Sequence, residues 1–187
     1  MKTVGTVIAS CILLMCCNLA SAQAKPAERH TIAQVLGEGV GRAESEVMGA
    51  ADAMPEDKYS FAPSQGEFKG VRTYAQQLKH IAAVNYMLGG AILVEKPPVE
   101  LGGENGPDSI ASKADIMKFL KDSFAYAHKA VAAVDGKNLV DPIKSPFGDN
   151  MTTRLALSSL IGAHCMDHYG QMVEYLRMNG IVPPASR

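Results

Sequence analysis

The sequence predicts one all-α domain with the architecture of a four-helix bundle. Apolar residues recur at three- and four-residue steps in four stretches, which proline and glycine separate from one another. The chain has no tryptophan and only 6% aromatic residues, which disfavours a closely packed β-sandwich or barrel. Its 187 residues, 47% of them hydrophobic, are enough for one sizeable core but not for two.

The first 22 residues have the three parts of a secretory signal peptide. Lys2 provides the positive start, residues 4–19 are nearly all apolar or small, and Ala20–Ala22 offers a small-x-small cleavage site. We therefore expect residues 1–22 to be removed and residues 23–187 to form the bundle domain. The protein is then expected to be periplasmic or secreted, with no stable insertion in a membrane.

Two alternatives stay open for this segment. Residues 3–22 could span a bilayer core of about 30 Å as an uncleaved anchor, although no basic cluster follows them. A lipoprotein would be processed at Cys16 or Cys17, but the bulky Met15 suits that processing poorly. Cleavage would leave Cys165 as the one cysteine of the mature domain, which must then be stabilised by its core or by a metal rather than by a disulfide.

The first two helices are expected over His30 to Met54 and over Phe68 to Val94. Glycines weaken the first, since each costs about 1 kcal/mol relative to alanine in a helix interior. Pro55 follows its end, and Pro97 stops the second helix. The positions of the second helix that keep the helical spacing are Val71, Tyr74, Leu78, Ile81, Asn85, Leu88 and Ile92.

The third helix is expected to begin after an N-cap at Ser112 and to end near Asp135. The fourth is expected to run from a cap at Thr152 or Thr153 to Met178, where an Asn-Gly pair provides the stop signal. Helices of this size, about 25 residues at 1.5 Å per residue, form rods about 37 Å long. Four such rods have the proportions of a four-helix bundle.

The link between the second and third helices bears on the topology. Residues 95–111 far exceed the roughly 2 to 8 residues that an antiparallel turn needs, so this link could cross the bundle and let the two helices run parallel. Residues 136–151 form another long link where no crossover is needed. Long links could equally line the mouth of a site.

The fourth helix carries two histidines in its apolar stripe. The stripe is expected to consist of Leu157, Leu160, Ile161, His164, Cys165, His168, Met172, Tyr175 and Leu176. His164 and His168 are one turn apart, so their side chains lie on the same face and could reach one metal ion. Buried imidazoles can also be satisfied by carbonyls or hydroxyls, so the pair alone is weak evidence. The face opposite this stripe is expected to hold Ser158, Ser159, Gly162, Asp167, Glu174 and Arg177.

A third ligand is needed for a catalytic metal site, and His80 is the natural candidate. It lies midway along the second helix beside apolar positions, and bundles build metal sites from side chains on facing helices. The alternative is a partly exposed histidine without a ligand role. Zinc and nickel both suit imidazole ligands, and the spacing does not choose between them.

The pattern resembles the DinB/YfiT-like superfamily of metalloenzymes over roughly residues 30–184. The motifs that carry the resemblance are Leu78-x-His80-Ile81, His164-x-x-Asp167-His168-Tyr169-Gly170-Gln171 and Tyr175-Leu176-Arg177-x-Asn179-Gly180. The resemblance implies a bundle in up-down-down-up order whose divalent ion is held by His80, His164 and His168. Asp167 stands where relatives often have a further histidine, and it is not expected to bind the ion.

The resemblance also implies a class of activity. Three neutral imidazoles leave the full +2 charge on the ion, which can acidify a water toward a pKa of about 7 or activate a thiolate. We expect a metal-dependent hydrolase. The alternatives are a metal-dependent thiol S-transferase, which export disfavours because the thiols concerned are mainly cytoplasmic, and a non-enzymatic metal-binding or structural module. The catalytic residues are unknown.

Three further side chains are also assigned from the sequence. Gln171 either bonds a ligand or is a polar residue at the bundle wall, Cys165 is expected in the core and His128 at the surface.

The composition limits the partners of the protein. A net charge of −1 leaves no basic surplus for nucleic acid. We expect a small-molecule substrate, and a homodimer stays open as the oligomeric state. The sequence has no Gly-rich phosphate loop, haem motif or nucleophile elbow.

Overall fold

The computed structural model describes residues 28–187, so the predicted signal peptide lies outside the described residues. The described chain forms four α-helices and one small antiparallel sheet. The helices are α1 (Ile32–Ala53), α2 (Tyr74–Leu93), α3 (Lys113–Ala132) and α4 (Arg154–Met178), and the strands are β1 (Pro142–Lys144) and β2 (Met151–Thr153). Short 3-10 turns occupy Glu56–Lys58 and Pro184–Ser186. The predicted four-helix architecture is confirmed.

Side-chain caps set where the helices begin. Thr31 and Thr73 each form a capping box with the glutamine three residues on, which satisfies backbone N–H groups that have no partner inside the helix. Ser112 and Thr153 cap α3 and α4 as predicted. The predicted start of the second helix at Phe68 is wrong, because the capping box at Thr73 delays the helix to Tyr74.

Contacts between the helices give their directions. From α2 to α3, Asn85 lies opposite Ser123 and Glu95 opposite Lys129, so the two helices run parallel. From α2 to α4 the order reverses, since His80 contacts His164 and the carbonyl of Ile92 accepts a bond from Arg154.

Helix α1 runs antiparallel to α3, because Met54 lies near Lys113 and Glu44 near His128. The order is therefore up-down-down-up, as predicted. The link between Leu93 and Lys113 must return the whole length of α2, which explains its length.

Helix α2 is the most deeply enclosed element. It packs against both α3 and α4, and most of its side chains are buried. Side chains of α2 are therefore held at fixed positions opposite those of α3 and α4. The largest fully buried side chains of the core are Tyr74, Phe124, Met54, Leu78, Ile81, Leu88, Ile92, Ile116, Leu120, Ile161, Met172 and Leu176. Within residues 28–187, no helix combines the length and apolar character needed to span a membrane.

The second long link contains a hairpin that the sequence analysis missed. Strands β1 and β2 pair from Pro142–Thr153 to Lys144–Met151, and Ser145 donates a further backbone bond to the carbonyl of Asn150. Strands of three residues are too short to show a two-residue alternation of apolar and polar side chains. The hairpin brings Phe147 to the cleft described below.

Candidate metal centre

The three predicted histidines come together between α2 and α4. The Nε2 atom of His164 lies 3.1 Å from the Nε2 atoms of both His80 and His168. The set offers three ligand atoms within 4.8 Å of one another. His168 is buried and the other two are partly buried. Such an arrangement could hold one metal ion, since imidazole nitrogens bind zinc at about 2.1 Å.

Hydrogen bonds orient two of the imidazole rings. The Nδ1 atom of His80 faces the backbone carbonyl of Glu104, and Nδ1 of His168 lies 2.6 Å from Oε1 of Gln77. Carbonyl oxygens only accept, so each Nδ1 carries the hydrogen and donates it. The lone pairs on the two Nε2 atoms are thereby left facing the centre of the cluster, which is the tautomer that a metal ligand needs.

A row of amides supports the His168 ring. Gln77, which is 1% exposed, donates from Nε2 to Oε1 of Gln171 over 2.8 Å, and Gln171 lies 3.4 Å from the Asp167 carboxylate. Gln171 therefore contacts the outer partner of a histidine rather than the centre. Asp167 is outside the cluster, as expected.

Burial keeps the three imidazoles neutral. It lowers the pKa of His164 to about 3 and that of His168 to about 4, and it also lowers the pKa of His80. The positive charge of Arg72 adds to the effect on all three rings, and the two α4 histidines also feel their neighbouring imidazoles. Near neutral pH each ring is therefore an uncharged lone-pair donor, the form in which histidine binds metals.

Hydrogen bonding within the chain leaves the cluster unsatisfied. His80 and His168 present acceptor nitrogens to His164, which has one ring hydrogen to offer, so one acceptor lacks a proton even in the best case. The Nδ1 atom of His164 is itself buried without a partner among residues 28–187. A cation shared by the three Nε2 atoms would accept all three of their lone pairs, so the donor set fits a divalent metal.

A cleft opens beside His80. Its volume is about 420 Å³, which lies within the range of small-molecule sites. It is lined by Arg72, His80, Ala83, Val84, Met87, Leu101, Gly102, Gly103, Glu104 and Phe147. A larger and shallower cleft of about 670 Å³ lies at the other end of α2 and contains none of the three histidines. The smaller cleft therefore borders the candidate site at His80.

Other predicted side chains occupy distinct places. Cys165 is fully buried in the core, as predicted, and His128 pairs with Glu44 on the far side of the bundle. Two expectations for α4 are wrong. Ser158, expected on the exposed face, is 4% exposed, and Leu160, expected in the apolar stripe, is 37% exposed. The rotation of α4 differs from the one inferred from its apolar residues alone.

Three features of the site escaped the sequence analysis. Gln77 lies one turn before His80 on the same face of α2, so a Gln-x-x-His pattern was the available signal. Arg72 lies next to the cap of α2. The Glu104 carbonyl had no sequence signal, because a backbone group gives none.

Comparisons with known proteins agree with this fold. A family model described as the DinB superfamily matches residues 41–172. A DinB-like protein from Bacillus cereus superimposes with a TM-score of 0.64 at 15% identity, over 81% of this chain and 95% of that one. A DinB-like protein from Bacillus subtilis gives 0.61 at 16% identity, over 78% and 92%. No curated protein matches the sequence significantly. With the family model covering most of its length, the chain belongs to the DinB superfamily.

Proposed function

We propose that the protein binds one divalent ion, zinc or nickel, through His80, His164 and His168, and that it is an exported metal-dependent hydrolase acting on a small molecule. The observation that carries this proposal is the convergence of three neutral Nε2 atoms at 3.1 Å contacts, with Nδ1 of His80 and His168 turned outward to carbonyl partners. The three histidines of the proposed site all lie inside the matched region of the family.

The number of ligands favours catalysis over a purely structural role. Structural zinc sites are closed by four protein ligands, whereas catalytic sites use three and keep a position for water or substrate. The cluster has three candidate ligand residues within the described chain and no fourth. When bound, the ion would supply the Lewis acidity that activates water for hydrolysis.

The chain's own residues prepare the site for this chemistry. Gln77 and the Glu104 carbonyl hold two of the rings in the required tautomer before any ion arrives. Burial keeps the rings neutral, so no proton has to leave them near pH 7. A small molecule would approach from the cleft beside His80, whose lining includes one of the three proposed ligands.

Metal analysis of the purified full-length protein tests the first half of the proposal. We expect one zinc or nickel per chain, loss of the ion on treatment with a chelator, and its return on reconstitution. Binding that stays far below one ion per chain after reconstitution would contradict the site.

Activity assays on the metal-reconstituted protein test the second half of the proposal, the hydrolase activity. We expect metal-dependent hydrolysis of at least one substrate in a panel of esters, amides and phosphoesters, abolished by the chelator. Cobalt substitution separates an open site from a closed one, because added azide changes the cobalt spectrum only if a coordination position is exchangeable. An unchanged spectrum would favour the structural alternative, and turnover of a thiol conjugate without hydrolysis would favour the S-transferase.

A further inference from the structure

We propose that the cleft beside His80 binds a small organic anion, with the anionic group held at Arg72 and an apolar body packed on the opposite wall. This inference deepens the proposed function and rests on it for the direction in which a substrate approaches. The anionic group is a carboxylate or a phosphate monoester, since a guanidinium pairs with both.

Arg72 is held in place at the edge of the cleft. Its Nε atom donates to Oδ1 of Asn105 over 3.0 Å, and its side chain is 25% exposed. The Nη2 atom lies 3.5 Å from a carboxylate oxygen of Glu104, whose side chain is 90% exposed. Nη1 has no hydrogen-bond partner among residues 28–187. A fixed guanidinium with unused N–H donors is suited to binding an oxyanion.

The charge of the cleft favours an anion. Arg72 and Glu104 are the charged side chains in its lining, and the Glu104 carboxylate is largely in solvent, where screening weakens its pairing. Arg72 lines the same cleft as His80, one of the three proposed ligands. A dication at the histidines would place a second positive centre at the same cleft, and a bound anion would relieve the repulsion between the two.

The remaining wall of the cleft is apolar. Val84 and Met87 contribute from α2, Leu101 comes from the link that follows α2, and Phe147 comes from the hairpin. Phe147 is 53% exposed, so its ring is available to a ligand.

A tight turn fixes the two sides of the cleft relative to each other. Gly102 has a φ of +66°, and a Cβ there would meet the backbone of Gly106 at 2.6 Å. Lys79 ties the same link to α2 by donating to the carbonyl of Pro107. Leu101 and Glu104 are therefore held on either side of the turn, which gives the cleft one apolar and one charged end.

Calorimetric titration with two probes of the same shape tests the proposal. The probes are 4-phenylbutyrate and its uncharged amide, titrated into zinc-loaded and into metal-free protein. We expect the carboxylate to bind at least ten times more tightly than the amide in both forms. Phenylpropyl phosphate in place of the carboxylate shows which anion the cleft prefers.

Three variants locate the interaction. Arg72→Met should lose at least tenfold in affinity for 4-phenylbutyrate, with little change for the amide, and Arg72→Lys should recover part of the loss. Met87→Trp should weaken both probes by filling the apolar end. Lys121→Met removes an exposed positive charge on α3, outside the cleft, and should change neither affinity.

The outcomes separate this inference from the proposed function. Equal affinity for the two probes, or full carboxylate affinity in folded Arg72→Met, overturns the inference even if the protein holds one metal ion per chain. Conversely, Arg72-dependent binding to a protein that takes up no metal supports the inference and removes the proposed function. If Arg72→Met fails to fold, two other measurements test the inference. They are the ratio of carboxylate to amide affinity in the wild-type protein and the loss of affinity in Met87→Trp.

Discussion

Two polar clusters lie beside α2, and they differ in how well the described residues satisfy them. The inner cluster joins α2 to α3 and α4, and the cluster of three histidines lies between α2 and α4. In the inner cluster, Cys165 contacts Oδ1 of Asn85, Asn85 donates to Ser123, and Ser123 donates to the Leu120 carbonyl, so every side chain has a protein partner. All three side chains are fully buried. In the cluster of three histidines, the Nε2 atoms have only one another as partners among residues 28–187. Protein groups alone satisfy the inner cluster. The Nε2 lone pairs of the histidine cluster would need a cation to satisfy them.

The largest predicted effect comes from removing a histidine from the unsatisfied cluster. His164→Ala and His168→Ala should each lower divalent-metal affinity by more than about a hundredfold, because two ligands on one rigid helix are hard to replace. His80→Ala should also weaken binding. Elemental analysis and calorimetry measure the effect, with His128→Ala as the histidine control. Stoichiometric metal in both α4 variants would refute the assignment, and full affinity in His80→Ala would place the third ligand elsewhere.

The next largest effect on metal affinity is expected at Gln77, one of two buried amide side chains on α2 that can be compared. Gln77→Leu removes the acceptor for His168 and should lower metal affinity by about 10- to 100-fold, the usual range for the outer partner of a ligand. Asn85→Leu is the matched control from the complete cluster. It should reduce the free energy of unfolding by about 1 to 3 kcal/mol, through unpaired buried groups, and leave metal affinity unchanged. Equal metal affinities in the two variants would remove the distinction between the clusters.

A pH titration of the metal-free protein should show the effect of the buried histidines on stability. The unfolded chain binds protons near the ordinary histidine pKa of 6.5, while burial delays protonation of the folded protein to a pKa of about 3 for His164 and about 4 for His168. The unfolded state therefore holds more protons in between, and the free energy of unfolding should fall as the pH drops from about 6.5 toward 4.

Urea unfolding at a series of pH values measures this slope. The inner cluster makes no contribution there, because burial raises the pKa of Cys165 to about 12. The double variant His164→Gln/His168→Gln should flatten the dependence. An unchanged slope in that variant would assign it to other groups.

The smallest effect is expected from the complete cluster. Cys165→Ala should cost about 1 kcal/mol, because it removes one small buried atom and the contact to Asn85, and it should leave metal affinity within twofold of wild type. Thermal unfolding and calorimetry provide the two measurements. A large loss of metal in this variant would show that the two clusters are coupled.

The sequence predicted those parts of the site that lie on one element or depend on link length. The spacing of His164 and His168 is visible within α4, and the length of the link after α2 allowed the parallel arrangement that the structure confirms. Joining His80 to the pair relied on its place midway along the second helix and on the family resemblance, because nothing local relates residue 80 to residue 164. The rotation of each helix about its axis was poorly determined, which is why Ser158 was placed on the wrong face and Gln77 was overlooked.

The bond between His80 and residue 104 is made to the main chain, not to a side chain. Every amino acid has a backbone carbonyl, so the hydrogen bond to His80 does not depend on which side chain stands at position 104. The link between α2 and α3 can therefore exchange side chains over the cleft while the ring it steadies keeps its orientation. In a lineage of such proteins, ligand preference could change by substitutions in this link without rebuilding the histidine cluster.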